Sequence, residues 1–171
     1  MPFDAQPTLR GPTLRVRPLT PEDFDALFAV ARDPLIWEQH PQPDRHRPDA
    51  FRQFFDDAMA SGAALVVETD GGEVFGSSRY HGYDEERSEV EIGWTFLARA
   101  FWGETTNREL KTLMLDHAFR SVRRVVFRVG PGNIRSQRAV EKLGARRAGT
   151  RQDGSGRTSV VFTLDRSDDR T

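Results

Sequence analysis

The sequence predicts a single α/β domain in which helices flank one mixed, mostly antiparallel sheet. Three observations predict it. Stretches of two-residue alternation interleave with stretches of helical periodicity; three consecutive strand patterns are separated only by turn signals; and one helical pattern lies between two later strand patterns. Short turns join antiparallel neighbours, whereas a helix between two strands carries the chain back for parallel pairing. The 171 residues suffice for one core and one active site, and are too few for two ordinary domains.

Residues 1–13 hold three prolines and a glycine without periodicity and read as a tail, as do the polar residues 165–171, leaving a domain over 14–164. Residues 14–17 alternate as a short strand. Thr20 then stands at a cap position, with Pro21 at the first helical position and Glu22 and Asp23 suited to the positive end of the dipole. Phe24, Leu27, Phe28 and Ala31 recur at i, i+3, i+4 and i+7, one apolar helix face, until Asp33-Pro34 ends it. After a loop rich in proline and histidine, Phe51, Phe54, Phe55, Ala58 and Met59 repeat that spacing, and Gly62 takes the place of a left-handed cap.

Strands follow at 64–68, 74–83 and 88–97, joined by turns at 70–72 and 84–86, the pattern of an antiparallel meander. Leu110, Leu113, Met114, His117 and Ala118 mark a helix over 104–119, and the β-branched run 125–129 a further strand. Gly130-Pro131-Gly132 breaks the chain, Asn133 caps a helix to Leu143, and Gly144 ends it. Strands at 145–151 and 158–164 flank the turn signal 153–156.

Twenty-five basic against 26 acidic side chains create no field for a polyanion, so neither nucleic acid nor an anionic membrane is an expected partner. The absence of cysteine excludes disulfides, thiolate metal sites and cysteine nucleophiles. His40, His46, His81 and His117 lack metal-ligand spacing, and no metal is expected. Without an apolar leader or an 18-residue apolar run, the expected location is the cytoplasm.

Two strand-to-helix junctions carry the chemical signal, because a helix start offers free backbone N–H groups and a positive dipole end. The first, at 103–107, combines Gly103 with Thr105, Thr106 and Asn107, and Lys111 follows Asn107 by one helical turn. The second is Asn133 with Ser136. Each alone reads as a capped surface helix; together they suggest one cleft.

This ordered set resembles the GNAT N-acetyltransferases, particularly the branch containing the ribosomal-protein N-terminal acetyltransferases. The likeness spans 14–164 and rests on Leu14-Arg15-Val16-Arg17-Pro18-Leu19, Glu91-Ile92-Gly93-Trp94, Phe101-Trp102-Gly103, His117-Ala118-Phe119 and Asn133...Ser136...Glu141-Lys142-Leu143-Gly144. It implies a GNAT-like sheet and acetyl transfer from acetyl-CoA, as co-substrate, to an amine acceptor, in a monomer or homodimer. Residues 94–97, with Phe96 and Leu97, would meet pantetheine, and Gly103, Glu104, Thr105, Thr106, Asn107 and Arg108 would receive the pyrophosphate. The family's Gln/Arg-x-x-Gly-x-Gly/Ala run is replaced here by Trp102-Gly103-Glu104-Thr105-Thr106-Asn107, with side-chain donors from Thr105, Asn107 and Lys111 standing in for close backbone approach.

The resemblance further implies that backbone N–H near Phe96 polarises the thioester carbonyl, that Ser136 protonates or hydrogen-bonds the departing sulfur, and that Asn133 holds pantetheine or a water. Strand alternation places Glu89, Glu91, Gly93 and Thr95 on one face and Val90, Ile92, Trp94 and Phe96 on the other. Glu91 is the candidate base, with the alternatives of a solvated or ion-paired strand carboxylate or deprotonation by water. Trp37, His40 and His81, the last beside Tyr83, are candidate acceptor contacts, and the 41–48 loop with the following helix corresponds to the family's acceptor-side wall. A GNAT-shaped CoA-binding sensor without turnover remains the alternative function.

Overall fold

The computed structural model describes residues 2–167, apart from the side chain of Glu104. Eight strands form one sheet: β1 (Leu9–Arg10), β2 (Leu14–Pro18), β3 (Ala64–Thr69), β4 (Val74–Asp84), β5 (Glu89–Leu97), β6 (Arg124–Val129), β7 (Arg146–Gln152) and β8 (Thr158–Asp165). Their spatial order is β1-β2-β3-β4-β5-β6-β8-β7. Every pairing is antiparallel except β5 with β6, where α3 (Glu104–Ala118) makes the crossover. The fold is thus the single α/β domain the sequence predicts, and among the described residues no helix is long and apolar enough to cross a membrane.

Two helices on one face and two on the other bury the two sides of the sheet. α1 (Phe24–Ala31) and α2 (Pro48–Ser61) lay Leu27, Ala31, Phe51, Phe54, Phe55 and Ala58 against Val66 and Phe96. Seven aromatic rings meet there, those of Phe24, Phe28, Trp37, Phe51, Phe54, Phe55 and Phe96, with Phe51 fully enclosed. Truncating such a ring to alanine costs about 3–5 kcal/mol. Gly62 ends α2 at φ 63°, the left-handed conformation that favours glycine. On the opposite face α3 contributes Leu110, Met114, Leu115 and Ala118, and α4 (Ile134–Lys142) contributes Val140, against Val67, Tyr80, Ile92, Val125 and Phe127.

Residues before 14, expected as a tail, pack on the domain. Leu9–Arg10 adds β1 to the sheet edge, the Phe3 ring meets Tyr80 edge-on at 4.9 Å and stacks on Tyr83 at 5.5 Å, and Gln6 Nε2 donates to the Ala64 carbonyl (3.0 Å). Prolines at three of those positions hide any period, although the isolated Phe3 fills a gap beside α3. At the other end Arg166 donates to the Phe119 carbonyl; residues 168–171 lie outside the described residues.

The strict alternation expected along β5 fails at Trp94. Its φ of 53° is a left-handed excursion by a bulky non-glycine residue, and the register with β4 slips there, Arg79 facing Gly93 and Ser77 facing Phe96. One extra residue exchanges the faces beyond it. Trp94 and Phe96 join the Glu91 face toward α1 and α2, while Thr95 turns toward α3. Gly76 permits the close approach of this segment, since a Cβ there would lie 2.5 Å from the Phe96 carbonyl oxygen.

Candidate active site

The parallel pairing of β5 and β6 is short. Glu89, Val90 and Glu91 pair with Arg124, Val125 and Val126, after which β6 continues beside β8 alone and β5 beside β4 alone. From Ile92 onward the two strands separate, and the β5 edge facing β6 has no ladder partner. A wedge opens between them.

Both helix starts stand at this wedge. Gly103, φ 139°, precedes α3 and supplies no side-chain cap, so among the described residues the first N–H groups of this 15-residue helix have no side-chain acceptor. The side chains of Thr105, Thr106, Asn107 and Arg108 make no hydrogen bond among the described residues; Glu104 opens the helix, its side chain lying outside the described set. Across the wedge Asn133, buried, accepts the Ser136 N–H on its Oδ1 (3.3 Å). Asn133 is therefore the cap of α4, and the half-buried Ser136 hydroxyl is left without a partner in the described residues. The Arg135 guanidinium lies 3.9 Å from the Trp102 ring centroid, tying the two starts together, and Trp102 Nε1 donates to the Leu97 carbonyl (2.9 Å).

A second cleft, about 510 Å³, adjoins the Glu91 face of the sheet, lined by Gln42, Asp44, Arg45, Phe54, Asp57, Arg79, Trp94 and Arg157 among others. Cross-strand pairing sets His81 opposite Glu91 and Arg79 opposite Gly93, and the bulge brings Trp94 beside them, its ring 5.2 Å from His81 and 4.6 Å from the Arg79 guanidinium. Glu91 is 8% exposed. Burial pushes its carboxyl up to about 7, against the pull of Arg128 and Arg79, and Arg128 Nε stands 3.7 Å from its Oε1. A carboxyl of that pKa exchanges protons near neutrality. Burial, with Arg128 and Arg79, also lowers the His81 imidazole.

Three expected site residues stand elsewhere or act otherwise. Lys111 does not reach the mouth of α3: it shares the buried stripe with Met114 and Ala118, is 5% exposed, and donates to Thr95 Oγ1 (2.7 Å). Burial lowers its ammonium to about 7. Trp37, 2% exposed, gives its indole N–H to the Ala31 carbonyl (2.8 Å) and packs on Phe54 and Phe96, so it is core beneath the cleft. His40 rests edge-on against Trp37; burial, then Arg45 and Arg157, lowers it to about 4 and keeps it neutral. Tyr83, expected beside His81, stacks on Phe3 instead. His81 stands on the sheet face that forms the cleft floor, while Phe96, Leu97, Gly103, Thr105, Thr106, Asn107, Asn133 and Ser136 gather around the wedge.

Arg45, Arg79 and Arg157 are cleft residues that sequence reasoning passed over. They come from a loop, a strand and a hairpin turn and meet only in the fold. The one available signal was Arg79, a cation in the middle of a strand between Ser78 and Tyr80. A third hollow, about 540 Å³, runs along α1 between Ala29, Val30 and Ala98 to Ala100; its arginine, Arg99, is already paired with Asp33.

The comparisons with known proteins agree with this architecture. Residues 13–146 match the family model described as an acetyltransferase (GNAT) domain. A Chromobacterium violaceum protein assigned to the GNAT acetyltransferases superposes with a TM-score of 0.84 at 25% identity, over 96% of this chain and 88% of that one. A GCN5-related N-acetyltransferase from Brucella melitensis gives 0.83 at 21%, over 96% and 80%. Mycobacterium smegmatis RimJ in complex with CoA-disulfide gives 0.67 at 20%, over 94% and 86%; at these last two identities the likeness is one of fold. No functionally curated protein matches the chain.

Proposed function

The chain belongs to the GNAT acetyltransferase family, and from that premise we propose that it moves the acetyl group of acetyl-CoA directly to a primary amine. One observation carries the proposal: among the described residues, the wedge between β5 and β6 has a helix start without a side-chain cap on one side and a hydroxyl without a partner, that of Ser136, on the other. The residues fit the co-substrate. The free N–H groups of α3, with Thr105 and Asn107, would hold the pyrophosphate, and the unpaired edge of β5 offers peptide groups to the amides of pantetheine. Lys111, enclosed on Thr95, is no part of that set.

In this reading a backbone N–H on the open edge of β5 next to Phe96 polarises the thioester carbonyl and the neutral amine nitrogen attacks its carbon. The C–N bond forms, the C–S bond breaks, and sulfur leaves with the electron pair. Glu91 accepts the proton released at nitrogen, directly or through a water, and the Ser136 hydroxyl donates toward the sulfur, so one proton leaves nitrogen as one is taken up at sulfur. His81 borders the acceptor. An N-terminal α-amine, the substrate of the ribosomal-protein branch, and a small-molecule amine both satisfy this chemistry.

Acetyl-CoA labelled in the acetyl group, incubated with an amine panel, tests the proposal. Label should appear on an amine in step with free thiol. Thermal stabilisation by acetyl-CoA with the label retained on CoA would instead identify a binding module.

A further inference from the structure

We infer that the cleft beside Glu91 takes an acceptor amine that carries a carboxylate, and that Arg79 and Arg45 hold that carboxylate. This rests on the acetyl-transfer reading for the amine end and on independent geometry for the acid end. Arg79 is 6% exposed, makes no hydrogen bond or ion pair among the described residues, and leaves its buried Nε without a partner. A charge taken out of water with no carboxylate in contact is costly, and Asp57 and Glu91 offset that cost for Arg79 only through space. The protein commits that cost at the wall of an open cleft, where a ligand can offset it.

Arg45, half-buried, borders the same cleft. Its guanidinium lies 4.6 Å from the Phe54 centroid, and its nearest polar neighbour is His40 Nε2, 3.3 Å from Nη1. The Gln42 N–H donates to His40 Nδ1 (3.0 Å), which places the hydrogen of the neutral ring on Nε2. Arg45 gains no acceptor there. Arg157 stands at the rim on the turn between β7 and β8, and repulsion from Arg79 and Arg157 adds to burial in lowering Arg45 to about 10. Asp44 and Asp57 also line the cleft, but neither is ion-paired with an arginine, and Asp57 accepts from Gln53.

The chemistry of the site selects the ligand. Guanidinium groups held over the Trp94 and Phe54 rings present forks of donors that match the two oxygens of a carboxylate. Glu91 lies on the same face as Arg79 and diagonal to it, since side-chain-free Gly93 stands opposite Arg79 and His81 opposite Glu91, so the amine end is directed to Glu91 and the acid end to Arg79. A cleft of about 510 Å³ suits a molecule the size of an amino acid or dipeptide. Polycationic amines are excluded by the same charges.

Matched acceptors decide it: an amino acid, its carboxamide and the corresponding amine without the carboxyl, each assayed with wild type and with Arg79→Met, which keeps the packing stem. The wild type should prefer the acid by at least about tenfold in kcat/KM, the worth of one charge-assisted pair, and Arg79→Met should bring that ratio toward one, with Arg79→Lys between. Equal or inverted preference in the wild type overturns the inference while leaving acetyl transfer intact. Calorimetric binding of the N-acetylated acid supplies a readout free of turnover: affinity should fall about tenfold in Arg79→Met, and no binding to the wild type overturns the inference even if every amine is inert.

Discussion

Lys111 Nζ donates to Thr95 Oγ1 at 2.7 Å beneath the bulge of β5, and Thr95 Oγ1 in turn meets Ser78 Oγ at 2.8 Å. The lysine has no carboxylate partner among the described residues and sits on the buried stripe of α3. It therefore ties the helix to the displaced half of β5, the half that borders the wedge.

Replacing it reports on that burial. The folded-state pKa, about 7, lies below the ordinary 10.5, so the unfolded chain takes up the proton first as pH falls. Stability is lost progressively from pH 10.5 down through 7. Lys111→Met should accordingly raise the unfolding midpoint at pH 7 and raise it less, or lower it, at pH 10, where only the hydrogen bond is lost. Denaturation at the two pH values checks this; an equal difference at both would place the ammonium in water.

Glu91 has the opposite sign. With a folded-state pKa near 7 against an ordinary 4.5, its contribution to stability is intact below 4.5 and is lost as pH rises to 7. Glu91→Gln should be the more stable protein at pH 8 and not at pH 4. Its rate should fall most at low pH and recover in part as solvent supplies neutral amine. A wild-type pH–rate profile in the variant would remove Glu91 from catalysis.

Ser136 and Asn133 separate cap from chemistry. Because Asn133 Oδ1 accepts the Ser136 N–H, Asn133→Ala should cost about 1 kcal/mol of stability. Ser136→Ala should leave stability within about 0.5 kcal/mol and lower kcat by roughly one to three orders of magnitude. Unchanged kcat per folded molecule would leave the hydroxyl without a role in transfer.

Most of the fold was legible because burial imposes periods: the Phe51, Phe54, Phe55 and Ala58 stripe, the Gly62 cap and the three meander strands all lie where their patterns put them. The two helix starts were legible as polar clusters after strands. The bulge was not, since the left-handed residue is Trp94 and not its neighbour Gly93, a conformation that follows from pairing with β4. Lys111 was misplaced because its charge outweighed its position, although the spacing to Met114 and Ala118 put it inside. Arg45, Arg79 and Arg157 are brought together by topology alone, which no local pattern encodes.

The wedge between β5 and β6 as the seat of acetyl-CoA is tested most directly by an amide chemical-shift map of the labelled protein titrated with acetyl-CoA. Shifts should concentrate at Phe96, Leu97, residues 103–108, Asn133 and Ser136. Shifts confined to the hollow along Ala29, Val30 and Arg99, or no shifts at millimolar acetyl-CoA, would contradict the assignment.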